Sequence, residues 1–372
     1  MGADENNKSE HLKSLPLEDL HKAANARFGG FAGWSMPITY PLGVMKEHLH
    51  TRELAGLFDI SHMQLFEVSG PGAAALLARA CPLDAASLAA GQSKYTFFLD
   101  EKAGILDDLI VTRLGDDRFM VVANAGNAAT DEAHLRAVAK GYDCSIDALD
   151  RVFLAIQGPM AIDVLAAAGI DGTGLSFMHG FEPKPGWFMS RSGYTGEDGF
   201  EIGLPAGEAR KLAMALLADE RVEWVGLAAR DSLRLEAGLC LHGNDITPET
   251  DPVDAGLTWA ISKPVREQAA FIGAKALQDK LAKGPSRKRV GLKPDGRQPV
   301  RSDSLLVDIH GNTVGLVTSG GFGPSAGYPV AMGYVGKDFA PVGTQVFAEV
   351  RGNRIALHVH SLPFTPHRYH KG

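Results

Sequence analysis

The sequence lacks the features of a membrane, secreted or nucleic-acid-binding protein. It has only three cysteines, Cys81, Cys144 and Cys240, which form no CxxC pair and leave one unpaired in any disulfide scheme, as in a reducing compartment. No apolar run approaches the roughly 20 residues that cross a membrane. The polar, acidic N-terminal segment resembles neither a secretory signal nor a transit peptide. We therefore expect a cytoplasmic protein without a membrane partner.

Basic stretches are scarce as well. The formal net charge is -7 and no long Lys/Arg run appears beyond the short segment 287–289, so no nucleic acid is expected as a partner. The composition is that of an ordinary globular protein, with 45% hydrophobic and 22% charged residues. At 372 residues the chain exceeds the size at which one core stops growing, which predicts two or three domains.

A weak internal repeat organises the N-terminal part of the chain. The apolar runs 65–71 and 153–159 both end in Gly-Pro and precede an Ala/Leu-rich stretch, which predicts strand, turn and helix twice. Periodic patterns predict strands at 95–99, 105–113 and 118–122, a helix near 128–139, a hairpin at 187–203 and a helix near 206–218. The predicted fold class is α+β, with two related units whose sheets are antiparallel because the connections are too short for helical crossovers.

From residue 290 onward, short β-rich runs are separated by turn signals such as Pro-Asp-Gly at 294–296 and His-Gly-Asn at 310–312. This pattern predicts an all-β C-terminal domain, either a barrel or a sandwich such as a jelly roll. The predicted boundaries are a first α+β domain at 1–57 and 145–262, a second at 58–144, a linker at 263–289 and the β domain at 290–372.

Two adjacent carboxylates, Asp107 and Asp108, interrupt a run of branched apolar residues. Strand alternation sends them to opposite faces, so that one can reach solvent or a helix surface while the other enters an enclosed space that would tune its pKa. The alternative is a hairpin end in which Asp107 caps the Asp100–Gly104 turn.

The glycine-spaced segment 192–201 is a second candidate. It lacks a Lys-Ser/Thr pair and a helix directly after the glycines, which argues against a phosphate-binding loop. One interpretation is a tight hairpin turn. The other is a backbone that closely approaches a flat ligand, with Tyr194 stacking on it and Glu201 accepting its hydrogen bonds.

A helix predicted near 226–236 carries Arg230 and Arg234 on one face, and Asp231 can pair with Arg234. This face is either a solvated, salt-bridged surface or an apolar setting in which arginine binds an anionic or carbonyl-bearing ligand, since leucines surround the charges. The residues alone leave both interpretations open.

The histidines do not predict a metal site. His48 and His50 lie on a predicted helix, where a spacing of two does not converge on one point. His358 and His360 share a strand face, but no third ligand is close in the sequence. We expect no metal, and we interpret His62 as a partly buried, hydrogen-bonded histidine rather than a catalyst.

The order of several motifs resembles one known family. The motifs are FAGWSMP at 31–37, FDISHM at 58–63, GILDDL at 104–109, IQGP at 156–159, GYTGEDG at 193–199, ARD at 229–231 and TSG at 318–320. Over nearly the whole chain they resemble the aminomethyltransferase, or T-protein, family of the glycine cleavage system.

The resemblance implies a three-domain cloverleaf with tetrahydrofolate held in a central cavity. It implies transfer of a methylene unit from the S-aminomethyl-dihydrolipoyl arm of the H protein to tetrahydrofolate, which gives methylenetetrahydrofolate, ammonia and the dithiol arm. Tetrahydrofolate is therefore the expected cofactor, and lipoylated H protein and folate are the expected partners.

The resemblance also implies roles for individual residues. Asp108 matches the family's catalytic aspartate, which would orient the folate amine and relay protons as ammonia leaves. Glu201 would accept two hydrogen bonds from the pterin, and Arg230 matches the folate-binding arginine, at either the pterin carbonyl or the glutamate tail. Asp107 is left as a structural partner on the opposite face. Other residues expected around the ligand are Tyr95, Asn124, Tyr194 and Tyr369.

Two residues differ from the family's pattern, and two related functions are alternatives to the one that the resemblance implies. Gln64 stands where small residues are common, and His242 stands where the family often has Tyr. A folate-dependent demethylase of the same superfamily would share the pocket, but the match extends to 233–238 and favours the glycine cleavage type. The folate-binding branch that supports iron–sulfur protein maturation carries a Lys-Gly-Cys motif, which 239–245 lacks.

Overall fold

The computed structural model describes residues 12–372. The chain forms two compact units. In the described part, the first, which we call the sheet unit, contains residues 12–98, 107–230 and 368–372. The second, the barrel unit, contains residues 99–106 and 231–367.

Short helices and strands alternate along residues 12–236. The first elements are β1 (Lys13–Ser14), α1 (Glu18–Ala23), β2 (Arg27–Phe31), β3 (Trp34–Thr39), α2 (Val44–Glu53), β4 (Ala55–Asp59), β5 (Gln64–Ser69) and α3 (Ala73–Ala80). The next are β6 (Ser93–Leu99), β7 (Ile105–Gly115), β8 (Arg118–Ala123), α4 (Ala128–Val138), β9 (Ser145–Leu149), β10 (Val152–Gln157) and α5 (Ala161–Ala167). They are followed by β11 (His179–Phe181), β12 (Phe188–Arg191), β13 (Gly199–Leu204), α6 (Ala206–Leu217), β14 (Val222–Trp224) and α7 (Leu227–Glu236).

Two sheets dominate the sheet unit. One has six strands in the order β11-β12-β13-β10-β4-β14, and the other has five in the order β6-β7-β8-β5-β9. Antiparallel pairing predominates, as predicted, for example between β10 and β13 and between β5 and β8. The exception in the larger sheet is β14, which runs parallel to β4 because the long intervening chain lets it return in the same direction. A small third sheet has the order β1-β3-β2.

The structure confirms the predicted repeat. Strand β5 ends before Gly70-Pro71 and is followed by α3, and β10 ends before Gly158-Pro159 and is followed by α5. Each repeated strand lies inside a different sheet, β5 between β8 and β9 and β10 between β13 and β4. The predicted strands β6, β7 and β8, the hairpin β12–β13 and the helices α4 and α6 are also confirmed.

After α7 the barrel unit contains α8 (Lys263–Gln268), α9 (Ala274–Lys283), β15 (Arg287–Pro294), β16 (Leu305–Val307), β17 (Thr313–Gly323), β18 (Tyr328–Gly336), β19 (Gln345–Val350) and β20 (Asn353–His360). Its six strands form a closed barrel of order β15-β18-β17-β16-β19-β20. This closure decides between the barrel and the sandwich that the sequence left open. Two helices, α8 and α9, lie within the segment predicted as a linker, and the domain boundaries themselves stay a prediction.

Each unit has its own apolar core. In the sheet unit, α5 and α6 bury Leu165 and Leu212 with Phe200 from the six-stranded sheet. The barrel encloses a separate cluster that includes Leu292 and Leu357. Such burial is the main driving force for folding, and these two clusters lie in different units. Across residues 12–372, no helix has the length and apolar character needed to cross a membrane.

Gly158, between β10 and α5, permits a close backbone approach. Its φ is 130°, and a Cβ there would lie 2.2 Å from the carbonyl oxygen of Leu54 and 2.5 Å from that of Thr51. We expect Gly158→Ala to lower the free energy of unfolding by about 3 kcal/mol, since strained backbone and overpacking each cost about 1–3 kcal/mol. The midpoint of urea unfolding measures the change.

The control for this substitution is Gly207→Ala in α6, where a Cβ would meet no atom within 4 Å. We expect an unchanged or slightly raised midpoint, because alanine favours a helix over glycine by up to about 1 kcal/mol. Equal midpoints for the two variants would contradict the steric argument.

Candidate active site

Asp107 and Asp108 lie side by side on β7 and differ in burial. Side chains along the strand alternate between buried and half-buried, so Asp107, which is 0% exposed, lies on the buried face and Asp108 on the other. The alternative role of Asp107 as a turn cap is wrong. The side chain of Asp100 itself caps that turn, accepting the backbone N–H groups of Lys102 at 2.8 Å and Gly104 at 2.7 Å.

Asn124, directly after β8, bridges the two carboxylates. Ile110 of β7 faces Val122 of β8 in an antiparallel register, so continuing for two residues places Asp108 opposite Asn124. The Nδ2 atom of Asn124 lies 2.9 Å from Oδ1 of Asp107 and 2.9 Å from Oδ1 of Asp108. An amide nitrogen carries two hydrogens, so Asn124 can donate one to each carboxylate.

A second donor reaches the half-buried carboxylate from β6. The hydroxyl of Tyr95 donates to Oδ2 of Asp108 at 2.7 Å. Both oxygens of Asp108 therefore accept hydrogen bonds, one from Asn124 and one from Tyr95. Two fixed donors hold the carboxylate in one orientation, and its partial exposure leaves it accessible to a ligand.

On the buried face, Asp107 accepts hydrogen bonds from the backbone N–H of Asn124 at 3.1 Å and from Nδ2 of Asn127 at 2.7 Å. Asp131 of α4 also hydrogen-bonds Asp107 and is 1% exposed. Its Oδ2 atom has no hydrogen-bond partner. Burial and the adjacent charges of Asp107 and Asp108 raise the pKa of Asp131 to about 10, so its carboxyl group is protonated at neutral pH.

Glu201 on β13 and Arg230 on α7 are buried and oppositely charged. The hydroxyl of Ser192 donates to Oε2 of Glu201 at 2.6 Å. Burial raises the pKa of Glu201, and the charge of Arg230 and the Ser192 hydrogen bond oppose that rise. Burial also lowers the pKa of Arg230, against the attraction of Glu201. The Arg230 guanidinium lies 4.8 Å from the centroid of the Tyr194 ring, a cation–π contact.

His62, after β4, is buried but is not the hydrogen-bonded histidine that the sequence predicts. Its Nδ1 atom has no hydrogen-bond partner, and neither does the buried Nη1 atom of Arg230. Burial and the nearby charge of Arg230 lower the pKa of His62 to about 3, against an opposing effect of Asp59, so the ring is neutral at physiological pH. Asp59 accepts the backbone N–H and the hydroxyl of Ser61, at 2.9 and 2.5 Å, and so holds the turn that carries His62.

Tyr369 lies in the C-terminal segment of the sheet unit. Its ring stacks on Phe177 with centroids 3.9 Å apart, and burial raises the pKa of its hydroxyl to about 12. The preceding Arg368 donates to Oε1 of Glu197 at 2.6 Å, and Arg52 donates to the same oxygen at 2.8 Å. These bonds attach the segment that carries Tyr369 to the glycine-spaced turn.

The predicted residues thus form two contact groups in the sheet unit. One contains Tyr95, Asp108 and Asn124, and the other contains Tyr194, Glu201 and Arg230, while Tyr369 lies on the segment that Glu197 anchors. Sequence reasoning missed Asn127, Asp131 and Ser192 and misjudged His62. The spacing of four between Asn127 and Asp131, which places them on one helical face, is the signal that could have indicated a shared partner.

Arg234 and His358, two other candidates from the sequence, form ion pairs with nearby carboxylates. Arg234 pairs with Asp231 at 2.8 Å, as predicted, and with Asp245 at 2.7 Å, all within the barrel unit. Nδ1 of His358, on β20, lies 3.2 Å from a carboxylate oxygen of Asp295. In the part of the chain that the structure describes, no group of three or more His, Cys, Asp or Glu residues could hold a metal ion.

Two family models match this chain, one over the α+β region and one over the closed β barrel. The GCVT N-terminal domain matches residues 17–264, and the glycine cleavage T-protein C-terminal barrel domain matches residues 287–365. These matches place the chain in the T-protein class of transferases.

Similar proteins make the assignment more specific. The mitochondrial aminomethyltransferase of Gallus gallus is 43% identical over 97% of this chain and 94% of its own length, and that of Homo sapiens is 40% identical over 97% and 92%. A crystal structure of glycine cleavage system aminomethyltransferase T from Bartonella henselae has 65% identity and a TM-score of 0.96, over 97% of this chain and 100% of that one. The chain belongs to the aminomethyltransferase family of the glycine cleavage system. The resemblance stated from the motifs is thereby confirmed.

The ion pair at the glycine-spaced turn leads to a prediction. Glu197→Gln leaves the Arg52 charge, whose side chain is 5% exposed, without its carboxylate partner. Breaking a buried pair in this way costs about 3–5 kcal/mol, so we expect a lower midpoint of urea unfolding. Because Arg368 loses the same partner, we also expect faster removal of the C-terminal residues by carboxypeptidase.

The matched control is Glu208→Gln, whose partner Lys184 has a side chain that is 50% exposed. Exposed ion pairs contribute little, so this variant should unfold at nearly the wild-type midpoint and keep the wild-type cleavage rate. An equal response of both variants would show that burial of the Glu197 pair is not what anchors the C-terminal segment.

Proposed function

We propose that the sheet unit binds tetrahydrofolate through Glu201, Arg230 and their neighbours. The observation that carries the proposal has two parts. Glu201 and Arg230 are buried and oppositely charged, and two buried polar atoms, Nη1 of Arg230 and Nδ1 of His62, have no hydrogen-bond partner. Buried polar atoms normally have hydrogen-bond partners, so this group suits a ligand that both donates and accepts. The residues present fit a pterin, whose amino-pyrimidine edge offers donors to Glu201 and whose carbonyl offers an acceptor to Arg230. The ring of Tyr194 provides a flat apolar face.

Asp108 is proposed as the catalytic carboxylate. Bound tetrahydrofolate supplies a nucleophilic nitrogen, so the protein has mainly to position it and to manage protons. Asp108 suits this task because Tyr95 and Asn124 fix both of its oxygens while one face stays accessible. The fully buried Asp107 is the structural partner.

The proposed donor is the S-aminomethyl-dihydrolipoyl arm of the H protein, and its support is membership of the aminomethyltransferase family. In the transfer, the carbon–sulfur and carbon–nitrogen bonds of the aminomethyl group break and two carbon–nitrogen bonds to folate form. The two protons lost from the folate nitrogens end on ammonia and on the thiol. A carboxylate beside the folate amine can relay such protons, which is the role given to Asp108.

We also propose that the protein works in a reducing compartment such as the cytoplasm. The support is that Cys81 and Cys144 carry free thiols. Burial raises the pKa of Cys81, which keeps it as an inert thiol rather than a reactive thiolate.

Asp108→Asn tests the catalytic role. We expect kcat for methylenetetrahydrofolate formation from aminomethylated H protein to fall by about 10²–10⁴-fold, the usual contribution of a positioned acid–base group, while folate still binds. Stopped-time assays of the product give kcat, and quenching of intrinsic fluorescence gives folate affinity. Asp147→Asn, an exposed residue on β9 of the same sheet, is the control and should keep wild-type kcat. Full turnover in Asp108→Asn would refute the assignment.

Glu201→Gln tests the binding role. Hydrogen bonds to a charged group contribute about 1.5–3 kcal/mol, so we expect the KM for tetrahydrofolate to rise by about 10–100-fold, with a smaller effect on kcat. Glu182→Gln, which alters a half-exposed ion pair with Arg118, should leave this KM unchanged. An unchanged KM in Glu201→Gln would mean that the pterin binds elsewhere.

A further inference from the structure

We propose that Asp131, on α4, is a positioning residue for the aminomethyl transfer: its protonated carboxyl group donates to Asp107, and Asp107 in turn holds Asn124 against Asp108. The proposal rests on the proposed function in one respect, since it takes Asp108 as the catalytic carboxylate. Asp131 is linked to Asp108 through two intervening residues, Asp107 and Asn124, and is given no contact with a ligand.

The contact between Asp131 and Asp107 requires a proton. Two carboxyl groups that hydrogen-bond each other cannot both be ionised, because neither anion has a hydrogen to donate. Asp107 is 0% exposed and Asp131 is 1% exposed, so water does not separate their charges. One of the two groups is therefore a neutral acid.

The other partners of Asp107 place the proton on Asp131. Asp107 accepts hydrogen bonds from the backbone and side chain of Asn124 and from the side chain of Asn127, at 2.7–3.1 Å. Three N–H donors favour the ionised form of a carboxyl group. Asp131 has an Oδ2 atom without any partner, as suits the less polar, neutral acid. The raised pKa of Asp131 agrees with this assignment.

The consequence reaches Asp108 through Asn124. Nδ2 of Asn124 lies 2.9 Å from one carboxylate oxygen of Asp107, from one carboxylate oxygen of Asp108 and from the backbone carbonyl oxygen of Asp108. If Asp107 turns, the side-chain amide of Asn124 loses its bond to that carboxylate and keeps only the acceptors on Asp108. Small misplacements of this kind are costly to catalysis, since effective proximity depends on geometry within a fraction of an ångström.

The proposal predicts a dependence on pH with a defined sign. The titratable groups that face Asp131 are Asp107 and Asp108 from β7 and Cys81 from the end of α3. Burial and the charges of Asp107 and Asp108 disfavour ionisation of Asp131, so its pKa in the folded state, about 10, lies above its ordinary value of 3.8. Stability from the neutral form is complete below 3.8 and is lost as the pH rises through about 10.

The experiment compares Asp131→Asn, Asp131→Ala and the control Glu132→Gln, the neighbouring residue on α4, whose carboxylate pairs with Arg136. Asn keeps an N–H donor for Asp107 but cannot titrate, whereas Ala removes the donor. We expect Asp131→Ala to lose about tenfold or more in kcat with little change in the KM for tetrahydrofolate. Asp131→Asn should recover most of that kcat, and Glu132→Gln should match the wild type.

Two further readouts separate positioning from simple loss of folding. Infrared spectra at neutral pH should contain the C=O stretching band of a protonated carboxyl group in the wild type and in Glu132→Gln, but not in Asp131→Asn. Between neutral pH and the Asp131 pKa of about 10, the unfolding midpoint and kcat of the wild type should fall more steeply than those of Asp131→Asn. Absence of the band, or equal kcat in Asp131→Ala and the wild type, would overturn the proposal.

These outcomes are distinguishable from failure of the proposed function. If Asp108→Asn keeps full turnover, the catalytic assignment fails, while the infrared band still decides whether Asp131 holds the proton. If Asp108→Asn is inactive and Asp131→Ala is fully active, the proposed function stands and the positioning role is wrong.

Discussion

Two buried carboxyl groups, those of Asp107 and Asp131, lie behind the half-buried carboxylate of Asp108, and the arrangement of the first contact group follows from how these three groups are hydrogen-bonded. A carboxylate removed from water is costly unless donors replace its hydration. Asp107 obtains amide donors, and Asp108 obtains the Tyr95 hydroxyl. Because Asn124 donates to both carboxylates, the geometry at the accessible carboxylate depends on the buried one behind it.

The second contact group meets the same constraint in a different way. Glu201 and Arg230 compensate each other's burial, and Ser192 adds a donor to Glu201. Compensation is incomplete, because Nη1 of Arg230 and Nδ1 of His62 stay without partners. A group with unsatisfied buried atoms is destabilising by itself and gains from a polar ligand. The two contact groups thus differ in how their buried charges are compensated.

Local patterns in the sequence predicted those features that depend on neighbouring residues. Alternation along β7 separated Asp107 from Asp108, and the Gly-Pro repeat located β5, α3, β10 and α5. Features that join distant segments could not be predicted from pattern alone. Closure of the barrel requires β15 to pair with β20, and the contact of Asp131 requires α4 to lie against β7. Periodicity specifies which face of an element is buried, but not which partner covers it.

The glycine-spaced turn contacts several residues of the second contact group and the C-terminal segment. Its flanking strands β12 and β13 are paired, so the turn is held at both ends. From this frame Ser192 orients Glu201, Tyr194 lies against Arg230, and Glu197 anchors the segment that carries Tyr369. Both sequence interpretations of the turn are therefore compatible, because a tight hairpin is what presents these side chains at fixed positions. A rigid strand pair positions ligand-binding groups more accurately than a free loop would.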